Sequence, residues 1–132
     1  MELKSNLKHS QLTEKIIKCY FDVYNNLGNG YLESVYENAM FYELQKQGLR
    51  VNQQKNITVY YKDIIVGSFY ADLIVNDSVI IELKASNQLN KKHETQLVNY
   101  LKATGIEVGL LFNFGRRPEF KRRVKSNSTA LN

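Results

Sequence analysis

Three charged side chains interrupt two strongly apolar segments in the middle of the sequence. Asp72 lies in a segment rich in Ile and Val (64–75), and Glu82 and Lys84 lie in the next such segment (79–85). A charge inside an apolar strand is costly unless it is paired, bound to a metal or used in chemistry. These three residues are therefore the first candidates for a functional site.

The turn between the two segments determines whether the three charges can meet. The polar residues at 76–78 predict a hairpin turn. A loop with an odd number of residues centred on Asp77 places Asp72 directly opposite Glu82, with Cβ atoms about 4.5–5.5 Å apart. Lys84 then shares the face of Glu82, because side chains alternate along a strand. An even loop would put the two acids on opposite faces.

Two adjacent carboxylates and an ammonium group favour a particular chemistry. The carboxylates repel each other, and a hard divalent cation such as Mg²⁺ relieves that repulsion by binding their oxygens. A lysine beside the cation can activate water or stabilise a charged transition state. The alternative is a structural cluster in which Lys84 only neutralises one acid, and the spacing alone leaves both interpretations open.

The sequence Asp72, then Glu82-Leu83-Lys84, resembles the signature of the PD-(D/E)XK nuclease superfamily, with Ala71 where the signature has proline. The segment 30–36, with its Gly, Glu and Tyr at spacings of three, resembles the motif of the GxxExxY family, a branch of that superfamily. Further residues that fit this branch are His93, Gln96, Tyr100 and the segment 109–115. The resemblance covers about residues 12–124.

The resemblance implies a nuclease that uses Mg²⁺ or Mn²⁺ and acts on nucleic acid, on DNA in preference to RNA. Asp72 and Glu82 would bind the metal, together with a backbone carbonyl beside Glu82, and Glu33 would complete the acidic site. Lys84 would position or deprotonate the attacking water, or stabilise the transition state. The implied catalytic residues are Asp72, Glu82, Lys84, Glu33 and Gln96, and Tyr100 and His93 are implied contacts to nucleic acid.

Simpler interpretations exist for several of these residues. Glu33 lies in the first turn of a predicted helix, where an acid complements the helix dipole. His93 is equally compatible with a solvated histidine near a helix start. Without the resemblance, Gln96 and Tyr100 would be surface polar residues on one helix face.

Apolar periodicity predicts the elements that must position these side chains. Helical spacing predicts helices over about 12–27, 31–47 and 90–104. Strands are expected over 51–61, over both segments of the hairpin and over 106–114. A helix precedes the last strand, so that strand is expected to pair in parallel. The predicted fold class is α/β, a restriction-endonuclease-like core with a mixed sheet of about four strands flanked by helices.

The segment 116–125 carries six basic residues in ten positions. These side chains could bind phosphates, or the segment could be a solvated terminus, and both interpretations are open. The candidate phosphate contacts are Arg116, Arg117, Lys121, Arg122 and Arg123.

Composition limits the remaining possibilities. The length of 132 residues predicts one domain over 10–125, a lead-in over 1–9 and a disordered tail over 126–132. The net charge of +5 favours an anionic partner, nucleic acid first. The single Cys19, the absence of an apolar leader and the absence of a membrane-length apolar run predict a cytoplasmic location without membrane contact. No phosphate-binding loop, dinucleotide motif, zinc spacing or nucleophile elbow supports another enzyme class.

A second hypothesis is a non-catalytic module that keeps the fold and binds nucleic acid or protein. The small size is compatible with a homo-oligomer or with work in a larger complex.

Overall fold

Three helices and five strands make up the computed structural model, which describes residues 9–125. The helices are α1 (Ser10–Leu27), α2 (Glu33–Lys46) and α3 (Lys91–Thr104). The strands are β1 (Val51–Tyr61), β2 (Ile64–Val75), β3 (Val79–Lys84), β4 (Val108–Phe114) and β5 (Pro118–Val124). Residues 1–8 of the predicted lead-in and the predicted tail over 126–132 lie outside the described part of the chain.

All five strands form one mixed sheet in the order β1-β2-β3-β4-β5. Neighbouring strands are antiparallel except β3 and β4, which are parallel and are connected through α3. Helices α1 and α2 pack on one face of the sheet and α3 packs on the other. Because both faces are covered, the central strands β3 and β4 are almost wholly buried. The predicted fold class and the predicted parallel pairing are confirmed.

The register of the β2–β3 hairpin is the one on which the site prediction depends. Val75 pairs with Val79, and Leu73 pairs with Ile81, so the connecting loop is 76–78 and has three residues. Asn76 and Asp77 both adopt a left-handed backbone conformation, which Asn and Asp tolerate better than most residues. The odd loop is therefore confirmed, and it directs Asp72 and Glu82 toward each other.

The fifth strand, β5, corrects the sequence analysis, which expected about four strands and left 116–125 as a solvated terminus or a phosphate contact. Residues 118–124 pair antiparallel with β4 along their whole length. The aromatic ring of Phe120 packs against Tyr20, Phe21 and Phe112. The solvated-terminus interpretation is wrong for this segment, because an apolar contact and a full ladder of backbone hydrogen bonds hold it.

None of the helices over residues 9–125 is both long enough and apolar enough to cross a membrane.

Tyr36 fixes the entry into α2 and so places the acidic residues of that helix. Its ring is fully buried and stacks on Phe114, with ring centroids 4.0 Å apart. Its hydroxyl donates to the Gly28 carbonyl at 2.6 Å and accepts from the Tyr31 amide at 3.2 Å. Gly28 has a positive φ of 66°, which a glycine adopts without steric cost. The glycine and tyrosine of the 28–36 segment therefore hold the loop between α1 and α2.

We expect Tyr36→Phe to lower the free energy of unfolding by about 1–3 kcal/mol, because it leaves a carbonyl and an amide without their partner. Urea unfolding measures the change. The matched control is Tyr42→Phe on the same helix, where the ring is 60% exposed and the expected change is within about 0.5 kcal/mol. Equal stabilities for the two variants would contradict the role assigned to Tyr36.

Candidate active site

The two carboxylates identified from the sequence meet where the backbone pairing of β2 with β3 stops. Beyond the Leu73–Ile81 pair, side chains replace the backbone ladder. The Asp72 amide donates to Glu82 Oε2 at 2.9 Å, and the Leu83 amide donates to Asp72 Oδ2 at 2.8 Å. Each acid therefore accepts a hydrogen bond from the strand that carries the other. This reciprocal pair holds both carboxylates at one point of the sheet.

Burial makes the negative charge of this pair unfavourable. Glu82 is only 4% exposed, and its pKa is raised to about 8, first by desolvation and then by the charge of Asp72. The pKa of Asp72 is also raised, again mainly by desolvation, although the hydrogen bond from the Leu83 amide opposes the shift. Without a cation the folded chain therefore disfavours two ionised carboxylates here.

Lys84 is half-buried at the end of β3 and lies two residues beyond Glu82, on the same face of the strand. Its charge lowers the pKa of both Asp72 and Glu82, but this is a smaller effect than desolvation. The loop after Lys84 is fixed by Asn113, which accepts from the Ser86 amide at 3.0 Å and donates to the Ser86 carbonyl at 2.9 Å. The charge of Lys84 therefore offsets only part of the desolvation of the two acids.

Two residues around this centre, Glu37 and Gln54, were not predicted from the sequence. The Gln54 amide group donates to Glu37 Oε1 at 2.7 Å and to Asp72 Oδ1 at 3.2 Å. Gln54 also has a positive φ of 49°, an unfavourable conformation for a non-glycine residue that is often found at functional sites. The charge of Glu37 raises the pKa of both Asp72 and Glu82. A usable signal was present, since Glu37 lies four residues after Glu33 on the same helix face.

Glu33 and His93 lie at the rim of the site. Glu33 is exposed at the first position of α2 and is close enough for its charge to raise the pKa of His93. Desolvation and the charge of Lys84 have the larger, opposite effect, so the pKa of His93 is lowered. Its Nδ1 accepts from the Asn90 amide at 3.3 Å in a capping box at the start of α3. A neutral imidazole in this role carries its proton on Nε2.

Gln96 and Tyr100 are joined on α3, where the Gln96 amide group donates to the Tyr100 hydroxyl at 2.9 Å. Tyr100 is 5% exposed. Its pKa is raised by burial and by the charges of Glu82 and Asp72. Tyr100 therefore lies within electrostatic range of the acidic pair, and Gln96 is its hydrogen-bond partner.

The basic residues of 116–125 are divided between two ends of β5. Arg116 and Arg117 are exposed in the turn that follows β4. That turn lies at the same end of the sheet as Lys84, because Lys84 pairs with Asn113 in the parallel β3–β4 ladder. Arg123 lies toward the other end of β5 and forms an ion pair with Glu94 of α3. The remaining two members of the candidate set, Lys121 and Arg122, are half-buried in the same strand.

The donor set fits a hard divalent cation held by few protein ligands. Within residues 9–125, no group of three His, Cys, Asp or Glu side chains is arranged to hold a metal ion. Mg²⁺, however, usually keeps several waters and is bound through one or two carboxylates together with substrate phosphates. Asp72 and Glu82 supply two such carboxylates. The Asp72 amide bonds Oε2 of Glu82, and Oε1 accepts no hydrogen bond from the described residues, which leaves its lone pairs for a cation.

Comparison with solved structures identifies a similar architecture. The chain resembles the crystal structure of SSO0001 with a TM-score of 0.53 and 17% sequence identity, over 74% of this chain and 52% of that one. This chain thus aligns with about half the length of that protein, and the likeness concerns the fold alone. No curated protein gives a significant match. The profile of the PD-(D/E)XK nuclease superfamily matches residues 10–124. With nearly the whole described chain matched, and with Asp72, Glu82 and Lys84 at the end of the β2–β3 hairpin, the protein belongs to the PD-(D/E)XK nuclease superfamily.

Proposed function

We propose that the protein is a nuclease that hydrolyses phosphodiester bonds of nucleic acid, DNA in preference to RNA, with Mg²⁺ or Mn²⁺ as cofactor. The observation that carries the proposal is the reciprocal pair of Asp72 and Glu82, a half-buried and a buried carboxylate held together although desolvation opposes their ionisation. Lys84 beside them adds the third group of the superfamily signature. Membership of the GxxExxY branch and a cytoplasmic location are further parts of this proposal that rest on the sequence.

Asp72 and Glu82 would hold the cation, and the carbonyl of Leu83 or Ile81 is the adjacent backbone oxygen. When bound, the cation polarises the phosphate and lowers the pKa of a water molecule. In hydrolysis the water oxygen bonds to phosphorus, the bond from phosphorus to the leaving oxygen breaks, and a proton from the water passes through solvent to the leaving oxygen, which departs as an alcohol. Lys84 would position that water, or donate a hydrogen bond to the phosphoryl oxygens as negative charge accumulates on them.

Groups around the acidic pair would orient the substrate and the ligands. Gln54 would keep Asp72 in position through its bridge to Glu37. Glu33 and Gln96 would complete the site at its rim. His93 and Tyr100 would contact the nucleic acid on the α3 side, and Arg116 and Arg117 would contact phosphates at the end of β4.

Binding without cleavage is the second candidate function, and one observation favours it. Only two carboxylates converge among the described residues, and Glu37, the third acid of the neighbourhood, is engaged by Gln53 and Gln54. Such a protein would bind nucleic acid but would not cleave it in the presence of Mg²⁺ or Mn²⁺. The assay below separates the two functions.

We expect Asp72→Asn and Lys84→Ala each to reduce cleavage by at least about 100-fold, because each removes a group needed in the transition state. The double variant should be no worse than the poorer single variant, since residues that act as one unit are not additive. The measurement is cleavage of single- and double-stranded DNA and RNA with Mg²⁺ or Mn²⁺.

Asp77→Asn is the matched control, with the same substitution in the same hairpin but at an exposed loop position. It should cleave like the wild type. Activity that survives in both Asp72→Asn and Lys84→Ala would contradict the proposed site, and a wild type that binds but never cleaves would favour the binding function.

Proton and metal should compete for the acidic pair. Desolvation and the charge of Asp72 raise the pKa of Glu82 from about 4.5 to about 8 on folding without metal. Between these two pH values the folded chain keeps a proton on Glu82 that the unfolded chain has released. The free energy of unfolding therefore falls as pH rises from about 4.5 to about 8. We expect Glu82→Gln to remove much of this loss. Mn²⁺ added at pH 8 should raise the melting temperature of the wild type and have little effect on Glu82→Gln.

Asp63→Asn, at an exposed turn position, serves as the control and should follow the wild type in both respects. Thermal melts at pH 5 and pH 8, with chelator and with millimolar Mn²⁺, provide the comparison. A wild type whose melting temperature responds to pH and metal no differently from Glu82→Gln would exclude the acidic pair as the metal site.

A further inference from the structure

A groove of about 1220 Å³ lies between α3 and the outer part of the β1–β2 hairpin. Its volume exceeds the range of about 300–1,000 Å³ that is usual for small-molecule pockets. One wall is formed by Val59, Tyr60, Val66 and Phe69 of the hairpin, and the other by the exposed side of α3. The groove is therefore large enough for part of a polymer.

The charged side chains that line the groove are all basic. Lys91, Lys92 and Lys102 of α3 are exposed and line it, together with His93. Among the described residues that line the groove, none is Asp or Glu. A wall of lysines facing an apolar wall is complementary to a ligand with phosphates along one side and flat apolar groups along the other.

The apolar wall presents aromatic rings to the groove. Phe69 is 43% exposed and its ring lies over Gly67, where an added Cβ would be 2.9 Å from a ring carbon. Glycine at 67 thus lets the ring lie close to the strand backbone. Tyr60 is 63% exposed at the outer end of the same wall. Exposed rings of this kind stack with nucleic-acid bases, largely without regard to sequence.

The inner end of the groove leads toward the acidic pair. Tyr100 lines the groove, and its ring centroid is 5.8 Å from that of Phe69. The same tyrosine is close enough to Glu82 and Asp72 to feel their charges. A strand lying in the groove would thus approach the candidate site.

We propose that this groove holds single-stranded nucleic acid, with bases stacked on Phe69 and Tyr60 and phosphates bound by the α3 lysines. The inference rests on the proposed function and adds the substrate class to it. A single strand fits because the faces of its bases are free to stack on the rings, whereas in a duplex the neighbouring base pairs cover them. Whether the strand is DNA or RNA is distinguished by the two probes of the experiment.

The test is affinity for mixed-sequence single-stranded DNA, single-stranded RNA and blunt duplex DNA, measured with the full chain in chelator so that no cleavage occurs. Tyr60→Leu and Phe69→Leu keep an apolar side chain and remove the ring. Each should weaken single-strand binding by about 5- to 150-fold, the range for loss of one stacked base. Lys92→Gln and Lys102→Gln should each reduce the salt slope by about 0.7.

Tyr70→Leu is the matched control, because Tyr70 is 56% exposed and alternates with Phe69 onto the opposite face of the hairpin. Lys15→Gln on α1 is the control for charge. Tighter binding of duplex than of both single strands, or equal losses for Phe69→Leu, Tyr60→Leu and Tyr70→Leu, would overturn the proposal, as would the absence of single-strand binding at low salt.

A cleavage assay with Mn²⁺ on the same probes separates the two proposals. Groove-dependent binding without cleavage would support the groove and contradict the nuclease. Cleavage that is unaffected by Tyr60→Leu and Phe69→Leu would support the nuclease and overturn the groove.

Discussion

The contact between a buried carboxylate, Glu82, and a half-buried one, Asp72, is the constraint on which this structure depends. A pair of ionised acids in a buried position repels itself and loses hydration, and both effects disfavour folding. The chain offsets part of that cost with hydrogen bonds from the amides of Asp72 and Leu83 and from the side chain of Gln54. The cost that is not offset is seen in the raised pKa of Glu82. A bound divalent cation would lower this cost, because its charge stabilises both ionised carboxylates.

The surrounding fold supplies the rigidity that keeps the acids together. The central strands β3 and β4 are buried between α1 and α2 on one side and α3 on the other. Tyr20 and Tyr36 then use their hydroxyls to bind backbone groups of the loops and strand ends near the site. Such buried, hydrogen-bonded aromatic rings leave the sheet little freedom to separate the two carboxylates. A site that must hold like charges in contact requires this kind of support.

The sequence allowed the hairpin and its acids to be predicted because the relevant geometry is local. An odd loop at 76–78 and the period of two along each strand are enough to bring Asp72 and Glu82 together. Gln54 was not predicted because its hydrogen bonds to Glu37 and Asp72 join α2, β1 and β2, and no short-range pattern encodes that packing. Glu37 was missed although its spacing from Glu33 places both on one helix face. The strand at 118–124 was not predicted because its many basic residues are typical of a solvated segment. Its pairing with β4 and the contact of Phe120 with Phe21 of α1 appear only in the fold. Local periodicity was therefore enough to predict the helices and the first four strands. The position of Gln54 and the fifth strand depend on long-range contacts.

The groove and the acidic pair, which would both contact a substrate, differ in whether they can be recognised from the sequence. The aromatic and basic side chains of the groove come from β1, β2 and α3, which are far apart in sequence, so the groove emerges only from the fold. The acidic pair, in contrast, is visible from two short segments. The groove and the acidic pair are nevertheless adjacent, because Tyr100 of α3 lies between Phe69 and the charges of Glu82 and Asp72.

A crystal structure of the protein soaked with Mn²⁺ at pH 8, with anomalous diffraction recorded to locate the metal, tests whether Asp72 and Glu82 form the metal site. If they do, we expect a single strong anomalous peak within about 2.0–2.4 Å of carboxylate oxygens from both residues. A peak bound elsewhere, or no peak at this pair while both carboxylates stay hydrogen-bonded as in the metal-free protein, would contradict it.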